Sequence, residues 1–413
     1  MNILHAKQAP LEEKLLILEN QMSLHEQGSL LWKKFKSKGF PHKKDPQWRH
    51  TNLSPLTESS FIMVPKVTMP QEHTIVMVDG SPSFFEHSEQ FSVSLEEVNF
   101  SVNNKSISDE DSFSLFHRAM NSKAMVIRVP NKIVVNRPIH IIWTTSEQVA
   151  DGVTFPALEL HLGEESECSV IESFVSNSAK SYFNNPLSLL HAHRGSKLYY
   201  YREQNEGEHA SHIGYTYLDV RSDAFVSSFI FSKGAKLSRH TLFSSLHHLG
   251  SEVYLAGLAL HAKEQQGDHY LALEHHSPHT KSEQFYKGIY SGSAHGVFAG
   301  KVMVKPGAMP IVSYQQNQNL LLSPDAHVDS KPELEINADD VKCSHGSTVG
   351  RMSAEELLYL QSRGLSSERA HLLLVKAFAS EVIKRSVREE ELQEHFFHQI
   401  TEFMKKEKSC EVT

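Results

Sequence analysis

Cys343 and His345 stand two residues apart in the segment Ser330-Lys331-Pro332-Glu333-Leu334-Glu335-Ile336-Asn337-Ala338-Asp339-Asp340-Val341-Lys342-Cys343-Ser344-His345-Gly346. Leu334 and Ile336 alternate there with Glu333 and Glu335, as on a half-buried strand. If residues 341–345 are extended as well, thiol and imidazole share a face with their backbones about 6 to 7 Å apart, close enough to lean toward one metal ion. Two ligands do not close a tetrahedral site. An ion held here would need water, cluster sulfide or ligands from a second chain, which makes the site interfacial or transient. Spacing alone favours the plainer reading, in which Cys343 is a small buried hydrophobe and His345 a turn residue bonded to backbone.

The densest histidine cluster, His275-His276-Ser277-Pro278-His279, has the right residue type for zinc but the wrong spacing. Pro278 breaks a regular helix, so a structural turn with exposed imidazoles is expected. His247-His248 is a weaker cluster of the same kind. The chain has no GxxxxGK[ST] loop, GxSxG elbow, HExxH helix or strand-linked GxGxxG, so the common nucleotide, hydrolase and metalloprotease signatures are missing. Its three cysteines, Cys168, Cys343 and Cys410, are too few and too widely spaced for a disulfide framework.

The 413 residues carry 41 Lys plus Arg against 49 Asp plus Glu, a formal charge of −8, so no global basic field favours nucleic acid or anionic lipid. No apolar run approaches the ~18 residues that span a bilayer, and the N-terminus lacks a secretion-signal layout, so a cytoplasmic protein is expected, with neither nucleic acid nor membrane as partner. With 39% hydrophobic residues the chain can bury a sizeable core. The 27 histidines are its compositional oddity.

Three regions are expected to position the candidate residues. Residues 1–122 read as an N-terminal helical and mixed domain: Leu11, Leu15, Leu18 and Met22 form one apolar stripe, and a second helix from about Ser29 to Lys38 stops at Gly39. Residues 123–349 read as strands, beginning with Met125-Val126-Ile127-Arg128-Val129, Pro138-Ile139-His140-Ile141-Ile142-Trp143 and the alternating Leu158-Glu159-Leu160-His161-Leu162. Turn signals at 165, 195, 223 and 250 are 30, 28 and 27 residues apart, with another at 234 part-way round. That period suits a right-handed parallel β-helix; the alternative is a large β-sandwich. Residues 350–413 return to helix, with capping boxes at Ser353-Ala354-Glu355-Glu356 and Ser386-Val387-Arg388-Glu389, a cap at Ser366 or Ser367, and stripes Leu374, Phe378, Val382 and Leu392, Phe396, Ile400, Phe403.

Lys331-Pro332-Glu333-Leu334-Glu335-Ile336, Asp339-Asp340-Val341-Lys342-Cys343-Ser344-His345-Gly346-Ser347-Thr348-Val349-Gly350 and Leu358-Tyr359-Leu360-Gln361-Ser362-Arg363-Gly364 closely resemble the C-terminal signature of the SufB/SufD superfamily, in its SufD branch. His276-Ser277-Pro278-His279-Thr280-Lys281-Ser282, Tyr286-Lys287, Phe298-Ala299-Gly300, Gln315-Gln316-Asn317-Gln318-Asn319-Leu320-Leu321-Leu322 and Trp48-Arg49-His50-Thr51-Asn52-Leu53 extend the resemblance. The likeness is specific from about 270 to 380 and looser elsewhere. It implies a mainly β protein, a right-handed parallel β-helix core flanked by N-terminal and C-terminal α-helical domains. It further implies a non-catalytic scaffold subunit of SUF iron-sulfur cluster assembly, pairing with SufB through the β-helix and with the ATPase SufC through the C-terminal helices.

The SufC interface would fall around Glu356, Leu358, Tyr359, Arg363, Gly364 and Phe378. ATP would be bound by SufC alone, FAD would belong to the complex if anywhere, and an isolated chain would pair with itself. SufB carries Cys-Asp-Ser where this chain has Val328-Asp329-Ser330, and a glutamate where it has Gly346. The resemblance therefore assigns His345, with Cys343 left open, to a transient iron-sulfur cluster at the SufB interface, with SufC dimerisation moving the body to expose the site. Two alternatives stand beside it: a SufB-like homodimeric scaffold, against which Val328 argues, and a β-helix carbohydrate-active enzyme, for which the sequence shows no register of clustered carboxylates.

Overall fold

The computed structural model describes residues 26–58, 62–63, 75–78, 81–84, 88–97, 111–145, 152–176 and 178–411, together with 14, 15 and 19. The expected first helix lies almost wholly outside these residues. Sixteen strands stack in parallel as eight coils of two. One sheet runs from Lys123–Val129 through Ala157–Leu162, Leu187–Ala192, Ala210–Val220, Leu237–Leu246, Gln266–His275 and His295–Val304 to His327–Ile336. The other runs from Ile139–Thr144 through Glu167–Val175, Lys197–Glu206, Phe225–Gly234, Glu252–His261, Lys281–Tyr290 and Ile311–Leu321 to Val341–Arg351. The protein is a parallel β-solenoid with helices toward both ends of the chain.

The sequence period has a backbone cause. Glu165, Gly195, Asp223, Gly250 and His279 all take positive φ two residues before strands of the second sheet, so five of the coils turn there on one left-handed residue, in most of them a Gly, Asp or His that tolerates it. Gly234 and Ala235 turn the opposite corner, and a Cβ at Gly234 would meet the Glu206 carbonyl oxygen at 2.2 Å.

Stacking in register converts coil length into columns. Val170, Tyr200, Ser228, Leu255, Gln284, Gln315 and His345 occupy one inward-facing column, and Cys168, Leu198, Val226, Val253, Ser282, Ser313 and Cys343 another. The lumen is filled by Leu158, Leu160, Val170, Leu198, Leu218 and Leu242 in the earlier coils; in the last three its second-sheet side turns toward Ser, Gln and Asn while Leu271, Leu273, Phe298 and Val302 keep the first-sheet side apolar. Solvent contact costs those polar side chains nothing.

Helices cover the outer faces. Toward the first sheet, α1 (Glu26–Lys38, ending at Gly39, φ +74°) and α2 (Ser112–Met120) pack Trp32, Phe35, Phe113 and Phe116 among Leu187, Ile213, Tyr215 and Phe243. Trp48 of the Trp48-Arg49-His50-Thr51 segment lies 3.9 Å from the Arg239 guanidinium, which is fully buried and paired with Asp268; Thr51 donates to the same carboxylate. Losing either charge of so buried a pair costs ~3–5 kcal/mol, and Trp48 and Thr51 tie the segment to it through the guanidinium face and a hydroxyl that bonds both charged groups.

After the last strand come α3 (Ala354–Ser362), α4 (Ser367–Ser386) and α5 (Glu390–Glu411). Leu392, Phe396, Ile400 and Phe403 are buried as the α5 stripe, Phe396 stacking on Phe231 at 4.8 Å. Two local expectations shift. Ser386 is the last residue of α4 and not the cap of α5, because the Val387 N–H still reaches Ile383 O at 2.9 Å. The buried α4 stripe is Ala370, Val375, Ala379, Val382 and Ile383, leaving Leu374 and Phe378 half-buried at its margin. No helix among the described residues is long and apolar enough to cross a membrane.

Many histidines are interior. His275 is buried, with Nδ1 2.7 Å from Thr280 Oγ1 and Nε2 2.9 Å from Ser282 Oγ, which corrects the expectation that this cluster is a turn of exposed imidazoles. Its strand runs on to residue 275 before the turn that Pro278 makes. Burial lowers His117, His269 and His275 to about 4 and His261 to about 3. Such groups are neutral when folded and bind protons more readily once unfolded, so their stabilisation is complete above the ordinary histidine value near 6.5 and is lost as pH falls through the folded values. Denaturant midpoints are expected to drop between about pH 6.5 and 4, by up to roughly 3 kcal/mol for each such histidine; a flat profile across that window would contradict neutral burial.

Candidate functional site

The two ends of the solenoid differ. At the first coil, Ser92–Glu97 pairs antiparallel with Lys123–Val129, Ile75–Val78 extends the second sheet, and Ser81–Phe84 closes it in antiparallel. At the eighth coil, no described strand pairs with the outer edges of His327–Ile336 and Val341–Arg351. Val349 and Ile336 are 48% and 41% exposed there. A row of unpaired backbone donors and acceptors on two neighbouring strands is an adhesive surface.

Both candidate ligands lie on this last coil. Cys343 pairs in register with Ser313 and His345 with Gln315. Ser313 and Gln315 are buried, facing the lumen, so alternation carries Cys343, His345 and Ser347 to the same inner side at the solenoid's mouth. Across the mouth, Ser347 Oγ donates to Ser330 Oγ at 2.7 Å, and Ser330 Oγ to Asn317 Oδ1 at 2.8 Å. Those bonds join the two sheets at the final coil. Val328, in the triplet that sets this chain apart from the SufB pattern, packs among Ala259, Tyr290, Ala294 and Ala326.

His345 is exposed, and its ring makes no hydrogen bond or ion pair with a described residue. Cys343 is half-buried against Val304, Ala308 and Ile311, and that burial pushes its thiol up. Thiol and imidazole thus sit on one face as the spacing required, and neither nitrogen of His345 is committed. The pair supplies two soft-to-borderline ligands and leaves the remaining coordination open.

Beneath His345 the column holds two glutamines that motif reading did not single out as functional. Gln315 Nε2 donates to Gln284 Oε1 at 2.6 Å, leaving Gln315 Oε1 and Gln284 Nε2 buried without partners among the described residues. The coil period would have found them, since 345, 315 and 284 are 30 and 31 residues apart. Gly300 makes their room: a Cβ there would meet Gln315 Nε2 at 2.1 Å and Gln284 Oε1 at 3.1 Å.

The expected SufC-contact residues are distributed on both sides of the helical unit. Leu358 and Tyr359 of α3 are 68% and 58% exposed, Arg363 lies over the Tyr359 ring at 5.3 Å, and Gly364 ends the helix at φ +90°. Glu356 lies in the first turn, where its N–H donates to the Ser353 cap at 3.3 Å. Phe378 faces the trunk instead, its carbonyl accepting from Lys287 Nζ at 2.9 Å and its ring lying under the same ammonium at 4.6 Å. No residue of α3 is buried, although Leu357-Leu358-Tyr359-Leu360 are all apolar.

Residues 143–378, from the end of the first coil through most of α4, match the family model for the SUF system FeS cluster assembly SufBD core domain. A curated SufBD family protein of iron-sulfur cluster assembly from Synechocystis is 27% identical, covering 90% of this chain and 88% of that protein. The iron-sulfur cluster assembly protein SufD of Escherichia coli is 29% identical, covering 88% and 89%. A chloroplastic Arabidopsis thaliana protein, ABCI7, is 31% identical over 63% of this chain and 56% of its own length. The chain belongs to the SufBD family of iron-sulfur cluster assembly proteins. Within it the chain is SufD-like, and the carbohydrate-active alternative falls away.

The glutamine pair gives a direct test of the mouth's architecture. Gly300→Ala is expected to displace Gln315, break its bond to Gln284 and cost roughly 1–3 kcal/mol in urea unfolding. Gly350→Ala, where a Cβ meets nothing within 4 Å, is expected to change stability by less than about 0.5 kcal/mol. Equal unfolding midpoints for the two variants would contradict the packing described.

Proposed function

We propose that this chain is the scaffold subunit of a cytoplasmic SUF assembly complex, docking a SufB-type partner on its open eighth coil and a SufC-type ATPase on α3. The observation that carries this reading is the asymmetry of the solenoid: one end is sealed by its own strands, while at the other no described strand pairs with the two edges around Cys343 and His345. A partner solenoid meeting that end would satisfy the edges and bring its own ligands to the mouth. The nascent cluster is then the complex's product in transit. His345 supplies one ligand through an uncommitted imidazole, and Cys343 supplies a second once a bound metal lowers its thiol.

The absent phosphate loop fits a subunit that leaves nucleotide chemistry to its neighbour, so the chain itself acts without catalysis. The apolar run on α3, with Leu358 and Tyr359 exposed and Leu357 and Leu360 half-buried, supports that helix as the ATPase contact. In isolation, the open end has a second copy of the chain as its available partner.

Two experiments test the assignment. In a reconstituted complex with SufB and SufC, His345→Ala is expected to abolish cluster loading, read by iron and sulfide content, while subunit co-elution persists; full loading would remove the ligand role. Leu358→Asp with Tyr359→Asp is expected to lose co-purification of the ATPase while SufB stays bound. Retention of the ATPase by that variant would place its contact elsewhere.

A further inference from the structure

The outer face of the first sheet carries a second, separate set of ligand-type side chains. Glu159 and His161 alternate on Ala157–Leu162, and His191 on the next coil is the register partner of His161. In-register stacking brings the two rings parallel, with centroids 4.7 Å apart and 8° between planes. Glu159 Oε1 faces both imidazoles, 2.7 Å from His161 Nε2 and 3.6 Å from His191 Nε2, and the three ligand atoms lie within 4.8 Å of one another. Ligands bonded at about 2.1 Å around one ion stand roughly 3.0–3.4 Å apart, so side-chain rotations of roughly an ångström close this set.

The surroundings point the same way. His191 Nε2 is buried and makes no hydrogen bond with a described residue, while its Nδ1 faces Asp219 Oδ2 at 3.3 Å. Asp219 is the next residue along the column and is itself held by Arg221 at 2.8 Å. A carboxylate on the far nitrogen is the usual way a ligating imidazole is oriented with its lone pair free. Arg128, in register with His161, is forked onto Glu96 at 2.5 and 2.8 Å, so its charge is already balanced. His161, with His193 and Arg128, also lines a cavity of about 440 Å³, so solvent or a small ligand approaches the set from the His161 side.

The geometry points to a divalent transition-metal site formed by Glu159, His161 and His191, with Asp219 as the orienting carboxylate. Two imidazoles and one carboxylate with open positions suit a first-row ion such as zinc, manganese or iron(II) and discriminate against calcium and copper(I). The site lies five strand spacings from the last strand of its own sheet, about 24 Å, and so is independent of Cys343 and His345.

The test is calorimetric titration of the full chain, stripped with chelator, using zinc(II) alone. A Cys343→Ser/His345→Ala background removes the other candidate ligands. One tight equivalent is expected in that background, lost on adding His161→Ala and His191→Ala, and weakened about 10- to 100-fold by Asp219→Asn. Absence of a tight equivalent, or its survival at unchanged affinity in the double-histidine variant, overturns the site. Unchanged affinity in Asp219→Asn overturns the orienting role. Should the double variant fail to fold, Glu159→Gln, which keeps shape and hydrogen bonding, decides: weakened binding supports the site and unchanged binding overturns it.

Discussion

A parallel stack of coils closes its backbone hydrogen bonds only between neighbours, so each of its two ends leaves a pair of strand edges unpaired. That constraint governs this molecule. The chain seals the first coil with its own antiparallel strands, which reverse the backbone and end the ladder. It leaves the eighth coil bare, and everything of chemical interest at that end follows from being on the last strand. His345 is exposed and Cys343 half-buried because no ninth coil among the described residues covers them, and they are aligned because Ser313 and Gln315 beneath them fix the register. Had the chain added one more coil, the same two residues would be lumen side chains like Ser282 and Gln284.

The lumen prepares for that end. In the early coils its columns carry Val170, Leu198, Val226 and Leu255; nearing the mouth, Ser282, Gln284, Ser313, Gln315, Asn317 and Asn319 take over. An apolar mouth would expose a hydrophobic patch whenever a partner is absent and would invite non-specific association. A polar one is soluble when bare, yet it holds donors and acceptors that a closing partner must satisfy. The unpartnered Gln315 Oε1 and Gln284 Nε2 are of this kind.

How much of this the sequence reveals depends on which physical constraint each feature obeys. The turns at 195, 223 and 250 are legible because positive φ restricts residue type, and the one at Glu165 only through its spacing from them. The corner at Lys263 takes the same conformation with an ordinary residue and so is silent in the sequence. A period of two places Cys343 and His345 on a common face, but alternation says nothing of whether that face is lumen or exterior; only pairing with buried Gln315 decides it. His275 departs from the expected turn because a proline restricts its immediate neighbour and not a residue three positions earlier on a strand. Arg239 and Asp268 are 29 residues apart, one coil, and become partners only when that offset is known. The family is legible only through resemblance to known motifs, which no periodicity contains.

The order of elements along the chain adds a mechanical argument. Val341–Arg351 carries both candidate ligands, and only Met352 and the cap Ser353 separate its end from α3, the apolar helix with no buried residue. The next two helices are fastened firmly: Lys287 reaches Glu381 at 2.8 Å and the Phe378 carbonyl at 2.9 Å, Arg388 lies 4.0 Å from the Tyr199 ring, and Phe396 stacks on the second sheet. α3 is therefore the loose link between a fixed trunk and a fixed helical pair. A force applied to it by an attached motor has two outlets, and the bolted side yields less than the strand whose outer edge lacks hydrogen bonds. A partner pulling on α3, as proposed above, would therefore act first on Val341–Arg351, a strand that pairs on one side only among the described residues.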